Sequence, residues 1–377
     1  MVLEFIRSTH KYVLIARSIG LVLLIQSLIS MPIWIGNGGL FPMISVFDSF
    51  LLDMSPSIQF FFGILYFGLL ISLILSPRKY LKKTIITFVF VFLLMVLQDI
   101  NRLQVWNYLF VLVLLIIFFC SQFEESDILI YLRYILGGVY FWSGIHKLNI
   151  HYFEVFQWMI SEIPMLKECA LPLFSKVSAF VEIFIGIFLI AKYNKKVVFV
   201  AVFCLHLFIL ISLISLNWNE VVYVWNIEMV FLVYLCLFIP QDKNHIFTSN
   251  ISYFIVFIIG LFPGLFLWDL IPGCFSFCMY SGREITGTIL FHSKDVTVFP
   301  NSLNIPISDP QRKEPIGIDI DYWCVKINHV PAFADEKMYL KLSKILCKQY
   351  AQKNYGGIIL TKYPKTSPPI DKIYLCE

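Results

Sequence analysis

Apolar runs long enough to cross a lipid bilayer recur through the first 271 residues of this 377-residue chain. A helix needs about 20 mainly apolar residues to cross a hydrocarbon core roughly 30 Å thick. Only 14% of the residues are charged, too few to cover the surface of a soluble fold of this size. The sequence therefore predicts an all-α polytopic membrane helix bundle of about nine spans, near residues 12–34, 58–76, 84–98, 105–120, 128–147, 173–191, 197–216, 220–239 and 251–270, of which the third and fourth are short.

The apolar runs stop near Gly273, which predicts a domain boundary there. After it, β-rich runs occupy residues 284–291, 316–327, 355–363 and 372–376, and residues 335–350 place apolar side chains at helical spacing. We therefore expect two units: a transmembrane domain at residues 1–271 and a small α+β soluble domain, here called the C-terminal unit, at residues 272–377.

Basic residues indicate how the chain lies in the membrane. They cluster at Arg7 and Lys11, at residues 78–83 and at residues 192–196, all on one side of a nine-span chain. Because basic loops stay in the cytoplasm, that side and the N-terminus are predicted to be cytoplasmic, and an odd number of spans then places the C-terminal unit outside. The net charge of +4 is too slight to imply a nucleic-acid partner, and the apolar spans make the lipid bilayer the expected one.

Cysteines are predicted to form at least one disulfide, because five of the nine lie in the C-terminal unit on the side expected to be oxidising. Cys324, in a predicted strand, is the expected partner of Cys347 or Cys376. No Cys/His spacing resembles a structural zinc site, so no metal is predicted.

An apolar helix runs into polar residues at His146, Lys147 and His151. Lys147 has two interpretations: it anchors the helix end by extending its ammonium to the headgroups, or it points into a cavity, where desolvation makes a neutral base available. Gly144, Lys147 and His151 share one helical face, but spacing alone does not choose between the two.

A second polar cluster spans residues 98–108. Asp99 and Arg102 are three residues apart and could pair, and Trp106 is typical of an interfacial belt. The cluster is either an ordinary loop with an aromatic anchor or one wall of a substrate pocket. Trp218 and Asn219, farther along the chain, are interpreted as belt residues.

Ionisable residues within the later spans are costly at membrane depth and normally face the bundle interior. Glu182, His206, Asn226 and Glu228 are of this kind. They either form hydrogen bonds between helices, or one carboxylate pairs with His206 as a proton relay.

The run from Tyr140 to Leu148, YFWSGIHKL, resembles the helix-ending segment of the HTTM superfamily, the transmembrane domain of vitamin K-dependent γ-carboxylase. Glu182 and His206 fit that resemblance, and residues 99–108 are similar to a segment of DoxX-like membrane proteins. The resemblance implies that Lys147 is a catalytic base supported by Glu182 and His206. It also implies a quinone or hydroquinone at the outer leaflet, for which we expect Asp99, Arg102, Trp106, Tyr140, His146 and His151 to form the substrate site.

Two functions therefore stay open. The first is an enzyme acting on a quinone or another lipid-soluble substrate, which requires a cavity reaching Lys147. The second is a non-catalytic maturation, immunity or assembly factor, which predicts a filled bundle and a surface for a protein partner on the C-terminal unit. A transporter is disfavoured, because the sequence has no inverted repeat and no matched pair of broken spans.

Overall fold

A computed structural model of the chain describes residues 10–47, 56–120, 125–163, 166, 172–239, 250–291, 316–350 and 355–376. Its α-helices in chain order are α1 Lys11–Ile29, α2 Met31–Ile35, α3 Pro56–Leu75, α4 Arg78–Gln98, α5 Val105–Cys120, α6 Glu125–Lys147, α7 Tyr152–Ile160, α8 Pro172–Ile190, α9 Lys195–Ser215, α10 Val221–Phe238, α11 Asn250–Ile255, α12 Ile320–Asn328 and α13 Glu336–Tyr350. The strands are β1 Thr286–Phe291, β2 Ile316–Asp319, β3 Tyr355–Lys362 and β4 Ile370–Leu375.

The predicted fold class is confirmed: the protein is a multi-pass membrane helix bundle followed by a small sheet region. Seven described helices are long and apolar enough to cross a membrane, namely α1, α3, α4, the Ile128–Lys147 part of α6, α8, α9 and α10. Two shorter apolar helices, Val105–Phe119 and Tyr253–Trp268, occupy the fourth and ninth predicted spans, so the count of nine is approximate. The third predicted span belongs to a full 21-residue helix, Arg78–Gln98. It was predicted too short because the first turns of this helix are basic and not apolar.

The ninth predicted span is not a regular helix. α11 changes to a π-helical turn at Val256–Leu261 and then to a 3₁₀ segment at Phe262–Trp268. Pro263 lies at the start of that segment, and a proline cannot donate the backbone hydrogen bond that an α-helix requires. The change of helix type follows from this residue.

Glycines bring α6 and α8 into backbone contact. A Cβ atom added at Gly144 would lie 2.6 Å from the carbonyl oxygen of Ala179, and one added at Gly186 would lie 2.6 Å from that of Gly137. Small residues at such positions let membrane helices approach closely. This approach places the end of α6 directly against the middle of α8.

The C-terminal unit contains a four-stranded antiparallel sheet in the order β2-β1-β3-β4. The helix predicted at residues 335–350 is confirmed as α13. The strand predicted at residues 316–327 is wrong beyond Asp319, where α12 begins. The Asp319 carboxylate accepts a hydrogen bond from the backbone N–H of Tyr322 at 2.7 Å, and this capping favours a helix over an extended chain.

A disulfide joins Cys347 in α13 to Cys376 after β4, which confirms the expected disulfide in this unit. The expected participation of Cys324 is wrong. Cys324 is a buried free thiol in α12, where it accepts a hydrogen bond from the Asn328 side chain at 3.6 Å. The false strand assignment of residues 320–327 caused this error.

The C-terminal unit packs on the connectors at one end of the bundle. Asn101 accepts a hydrogen bond from the backbone N–H of Phe333 at 2.9 Å, and the Gln104 side chain donates one to the Pro331 carbonyl at 3.0 Å. At the opposite end, Arg78 at the start of α4 contacts His10 beside the start of α1. The basic connector at residues 78–83 and the C-terminal unit therefore lie at opposite ends of the bundle. The cytoplasmic location of the basic end stays a prediction, and so does the domain boundary at residue 271. Arg7 lies outside the described residues.

Candidate functional site

Lys147 lies inside the bundle, with only 8% of its surface exposed. Its Nζ donates to both carboxylate oxygens of Glu182, at 2.6 and 2.8 Å, and to Ser143 Oγ, one turn earlier on α6, at 3.1 Å. The glycine contact between α6 and α8 makes this reach possible. The ammonium is therefore a member of an internal ion pair and does not extend to the headgroups.

His206 belongs to a second chain of hydrogen bonds across three helices. Its Nδ1 lies 2.7 Å from Asn226 Oδ1, and its Nε2 lies 2.6 Å from the Tyr140 hydroxyl. Because Asn226 Nδ2 donates to the Val222 carbonyl at 2.8 Å, Asn226 Oδ1 is the acceptor. His206 Nδ1 therefore carries the proton, and Nε2 accepts from Tyr140.

We call Tyr140, Ser143, Lys147, Glu182, His206 and Asn226 the membrane polar cluster. The cavity beside it has a volume of about 50 Å³. A water molecule takes about 30 Å³ of the liquid, whereas pockets for small molecules measure about 300–1,000 Å³. The cluster therefore has room for water and not for a quinone ring system.

The proposed pairing of a carboxylate with His206 is wrong. Glu182 bonds to Lys147, and Glu228 accepts a hydrogen bond from Ser18 on α1 at 2.7 Å. Helix packing separates the two carboxylates from the imidazole, and Asn226 takes the place that an acid was expected to fill.

Asp99 and Arg102 are both buried and make no ion pair with each other. Asp99 Oδ1 accepts from the Asn101 backbone and side chain at 3.1 and 2.9 Å, which caps the short 3₁₀ turn that follows. Arg102 donates to the carbonyls of Ile33 and Met95, both at 2.8 Å, and to Gln98. These contacts fasten α2 to the end of α4, and neither residue lines the two cavities described here.

His146 points away from Lys147. Its ring stacks on Trp142 with centroids 5.7 Å apart and meets the edge of Phe266 at 5.2 Å. It therefore packs toward the 3₁₀ segment at Phe262–Trp268, and the expected substrate site is divided among separate places.

A much larger cavity, of about 380 Å³, lies between the end of the bundle and the C-terminal unit. We call it the interface cavity. His151 and Trp106 line it, as the expected substrate site requires, although the His151 Nε2–H is used by the carbonyls of Pro364 and Ser367 at 2.9 and 3.1 Å. Its walls come from both units and include Trp106, His151, Glu154, Trp158, Trp218, Asn219, Cys274, Cys278, Tyr280, Glu284, Asp321, Phe333 and Tyr363.

Sequence reasoning missed Glu284, Asp321 and Tyr280 at this cavity and interpreted Trp218 and Asn219 as belt residues. Glu284 follows the last predicted span by 14 residues, and an acidic residue so close to the membrane end could have been considered as a site residue. Burial and the nearby Glu284 raise the pKa of the Cys278 thiol, so this cysteine is protonated at neutral pH. Among the described residues no group of His, Cys, Asp and Glu could hold a metal ion.

A family model described as methylamine utilisation protein MauE matches residues 125–223, or 99 of the 377 residues. The matched stretch runs from α6 to the start of α10 and contains Lys147, Glu182 and His206. The assignment to the HTTM superfamily is therefore wrong, because the segment that suggested it matches a different family, and the likeness to DoxX-like proteins is unsupported. Comparisons with curated proteins and with solved structures found no match.

Proposed function

We propose that this protein is a non-catalytic membrane accessory or maturation factor that binds a protein partner at the interface cavity. The difference in room between the two polar sites carries the proposal. The cavity beside Lys147 measures about 50 Å³, whereas the interface cavity measures about 380 Å³ and is lined by residues of both units.

The hydrogen bonds of Lys147 argue against catalysis at this residue. A lysine ammonium has three N–H donors, and here Glu182 and Ser143 supply three acceptors. A catalytic base must be within hydrogen-bond reach of the proton that it removes. No position around the ammonium is left for a substrate.

The matched family supports the same function. Its description names a utilisation process, methylamine utilisation, and not a reaction. An accessory or maturation factor of such a process would act on another protein of that process. If the basic end of the bundle is cytoplasmic, the partner reaches the interface cavity from outside the cytoplasm.

Site-specific photo-crosslinking in living cells tests the proposal. Trp158 lines the cavity and is 37% exposed, so a benzoylphenylalanine in its place would face a bound partner. Phe184 on the outer surface of α8, with 51% of its surface exposed, is the matched control. We expect a discrete protein adduct from position 158 and none from position 184, identified by mass spectrometry.

Deletion of the gene should then lower the amount of the mature form of the crosslinked protein, and the wild-type gene should restore it. The proposal is overturned if both positions give the same adducts, or if the crosslinked protein matures normally in the deletion strain. It is also overturned if the purified protein turns over a quinol and the Lys147→Arg variant does not.

A further inference from the structure

The interface cavity is acidic, and carboxylates are the charged groups of its described lining. Glu154, Glu284 and Asp321 line it, and among its described lining residues there is no lysine or arginine. Glu154 is exposed at the rim, whereas Glu284 and Asp321 are half-buried. A carboxylate removed from water is costly unless a cation or several donors compensate it.

The two inner carboxylates are poorly compensated within the protein. The Glu284 oxygens accept from the backbone and hydroxyl of Ser281, each at the long distance of 3.4 Å, and from the weakly donating Cys278 thiol at 4.0 Å. Asp321 Oδ1 accepts from the Ala332 N–H at 3.1 Å and from the Tyr339 hydroxyl at 3.5 Å. Burial raises the pKa of both carboxyls, that of Asp321 to about 8, and each lacks an ion pair among the described residues. Asp321 is therefore mostly protonated at neutral pH, and a bound cation would lower its pKa and make it a carboxylate.

Asn219 adds an independent sign of a missing donor. It is 4% exposed and lines the same cavity, and its side-chain Nδ2 donates to the Tyr280 hydroxyl at 3.1 Å. Its Oδ1 has no hydrogen-bond donor among the described residues. A buried acceptor without a donor costs about 1–3 kcal/mol, so a ligand donor at this place would be favourable.

Aromatic rings form one wall of the cavity. Trp158 meets Trp218 edge-on with centroids 5.8 Å apart, and it lies 6.5 Å from Tyr280. The Tyr280 hydroxyl is the group that Asn219 contacts, so this wall adjoins the unpaired acceptor. Faces of tryptophan and tyrosine attract an ammonium and also cover apolar groups.

We infer that the interface cavity binds a primary ammonium group on an unbranched apolar stem, with Glu284 and Asp321 as counter-ions and the Trp158, Trp218 and Tyr280 rings as its wall. A primary ammonium has three N–H donors, and the cavity supplies three acceptors that lack strong donors. A lysine side chain of the partner and a free alkylamine share this chemistry. The lysine source rests on the proposed function, since it requires a protein partner.

Other ligand classes fit less well. An anion would meet three carboxylates and no lysine or arginine in the described lining. A metal ion would need a ligand group that the described residues do not form. A purely apolar ligand would leave the two inner carboxylates and Asn219 Oδ1 uncompensated.

Calorimetric titration of the full chain in lipid nanodiscs tests the inference, with empty nanodiscs to subtract partitioning into lipid. The probes are n-butylammonium, its neutral analogue n-pentanol, and Nα-acetyl-lysine amide. We expect saturable binding of n-butylammonium and none of n-pentanol. Glu284→Gln should weaken that binding about tenfold or more, because the ammonium would then face a neutral amide oxygen in place of a carboxylate, and Asp321→Asn should act in the same direction.

Glu162→Gln is the matched control, since this glutamate is exposed and does not line the cavity, and it should change the binding less than threefold. Binding of the lysine derivative as well would identify a protein source, and binding of n-butylammonium alone a free amine. Equal binding of n-butylammonium and n-pentanol, or no loss in correctly folded Glu284→Gln and Asp321→Asn proteins, would overturn the inference. The proposed function fails separately, through the crosslinking result at position 158.

Discussion

Inside the bundle, Lys147 has three acceptors within 3.1 Å, and His206 is bonded at both ring nitrogens. At the interface cavity, Glu284 accepts from Ser281 only at the long distance of 3.4 Å, and Asn219 Oδ1 has no donor among the described residues. The hydrocarbon offers no water to a charged group, so the charges of Lys147 and Glu182 must find their partners in the protein. At the membrane end water or a ligand can complete a residue, and the unpaired acceptor of Asn219 there supports the proposed binding site.

Breaking the ion pair of the membrane polar cluster should give the largest effect. Lys147→Met leaves the Glu182 carboxylate buried without its cation, and we expect a loss of about 3–5 kcal/mol in the free energy of unfolding. Lys147→Met combined with Glu182→Leu removes both charges and should regain most of that loss. Unfolding in mixed micelles measures both variants.

Lys176→Met, at an exposed lysine near the start of α8, is the control and should stay within about 0.5 kcal/mol of wild type. A double variant no more stable than Lys147→Met would show that the cluster is not an isolated, self-satisfied pair. The contrast with the interface cavity would then be lost.

Removing the disulfide should destabilise the C-terminal unit and not the helix bundle. Cys347 and Cys376 are 29 residues apart, and Cys347→Ser should destabilise the C-terminal unit by about 2–4 kcal/mol, because the unfolded chain gains freedom. Limited proteolysis should cut the C-terminal unit faster and leave the bundle intact. Cys204→Ser, at an exposed free thiol on α9, should have no effect. Equal protease sensitivity of Cys347→Ser and Cys204→Ser would contradict the expectation.

The glycine contact that makes the membrane polar cluster possible is open to a direct test. Gly144→Ala places a methyl group 2.6 Å from the Ala179 carbonyl oxygen and should cost about 1–3 kcal/mol by forcing α6 and α8 apart. Gly68→Ala on α3 has nothing within 4 Å of the new atom and should be neutral or slightly stabilising. Thermal unfolding compares the two, and similar midpoints would exclude close packing as the reason for Gly144.

The smallest effect is expected at the surface of the sheet. Glu336 contacts Lys362 at 2.5 Å and Lys372 at 3.2 Å, and the Lys362 hydrogen bond, above all, lowers the pKa of this carboxyl to about 2. Its folded pKa lies below the unfolded value, so its stabilisation is present above about pH 4.5 and is lost as the pH falls toward 2. Glu336→Gln should therefore cost at most about 1 kcal/mol at pH 7 and nothing near pH 2. A difference that persists at pH 2, measured by chemical unfolding, would show that the charge is not the cause.

Local patterns of the sequence determined the class of fold. Hydropathy over about 20 residues is a property of each segment by itself, so seven of the nine predicted spans coincide with long apolar helices. The amphipathic helix α13 was predictable from its own periodicity. The polar residues at membrane depth were also visible, because their cost does not depend on which neighbour they meet.

Only the tertiary structure decided which of those residues meet. The close approach of α6 to α8 at Gly144 and Gly186 brings Glu182 within hydrogen-bond distance of Lys147. His206 bonds to Asn226 instead. The interface cavity joins residues as distant in the chain as Trp106 and Asp321, and no local pattern reports a space between two units. Pairing and cavities depend on long-range packing, whereas hydropathy and periodicity record only the preference of each segment for lipid or water.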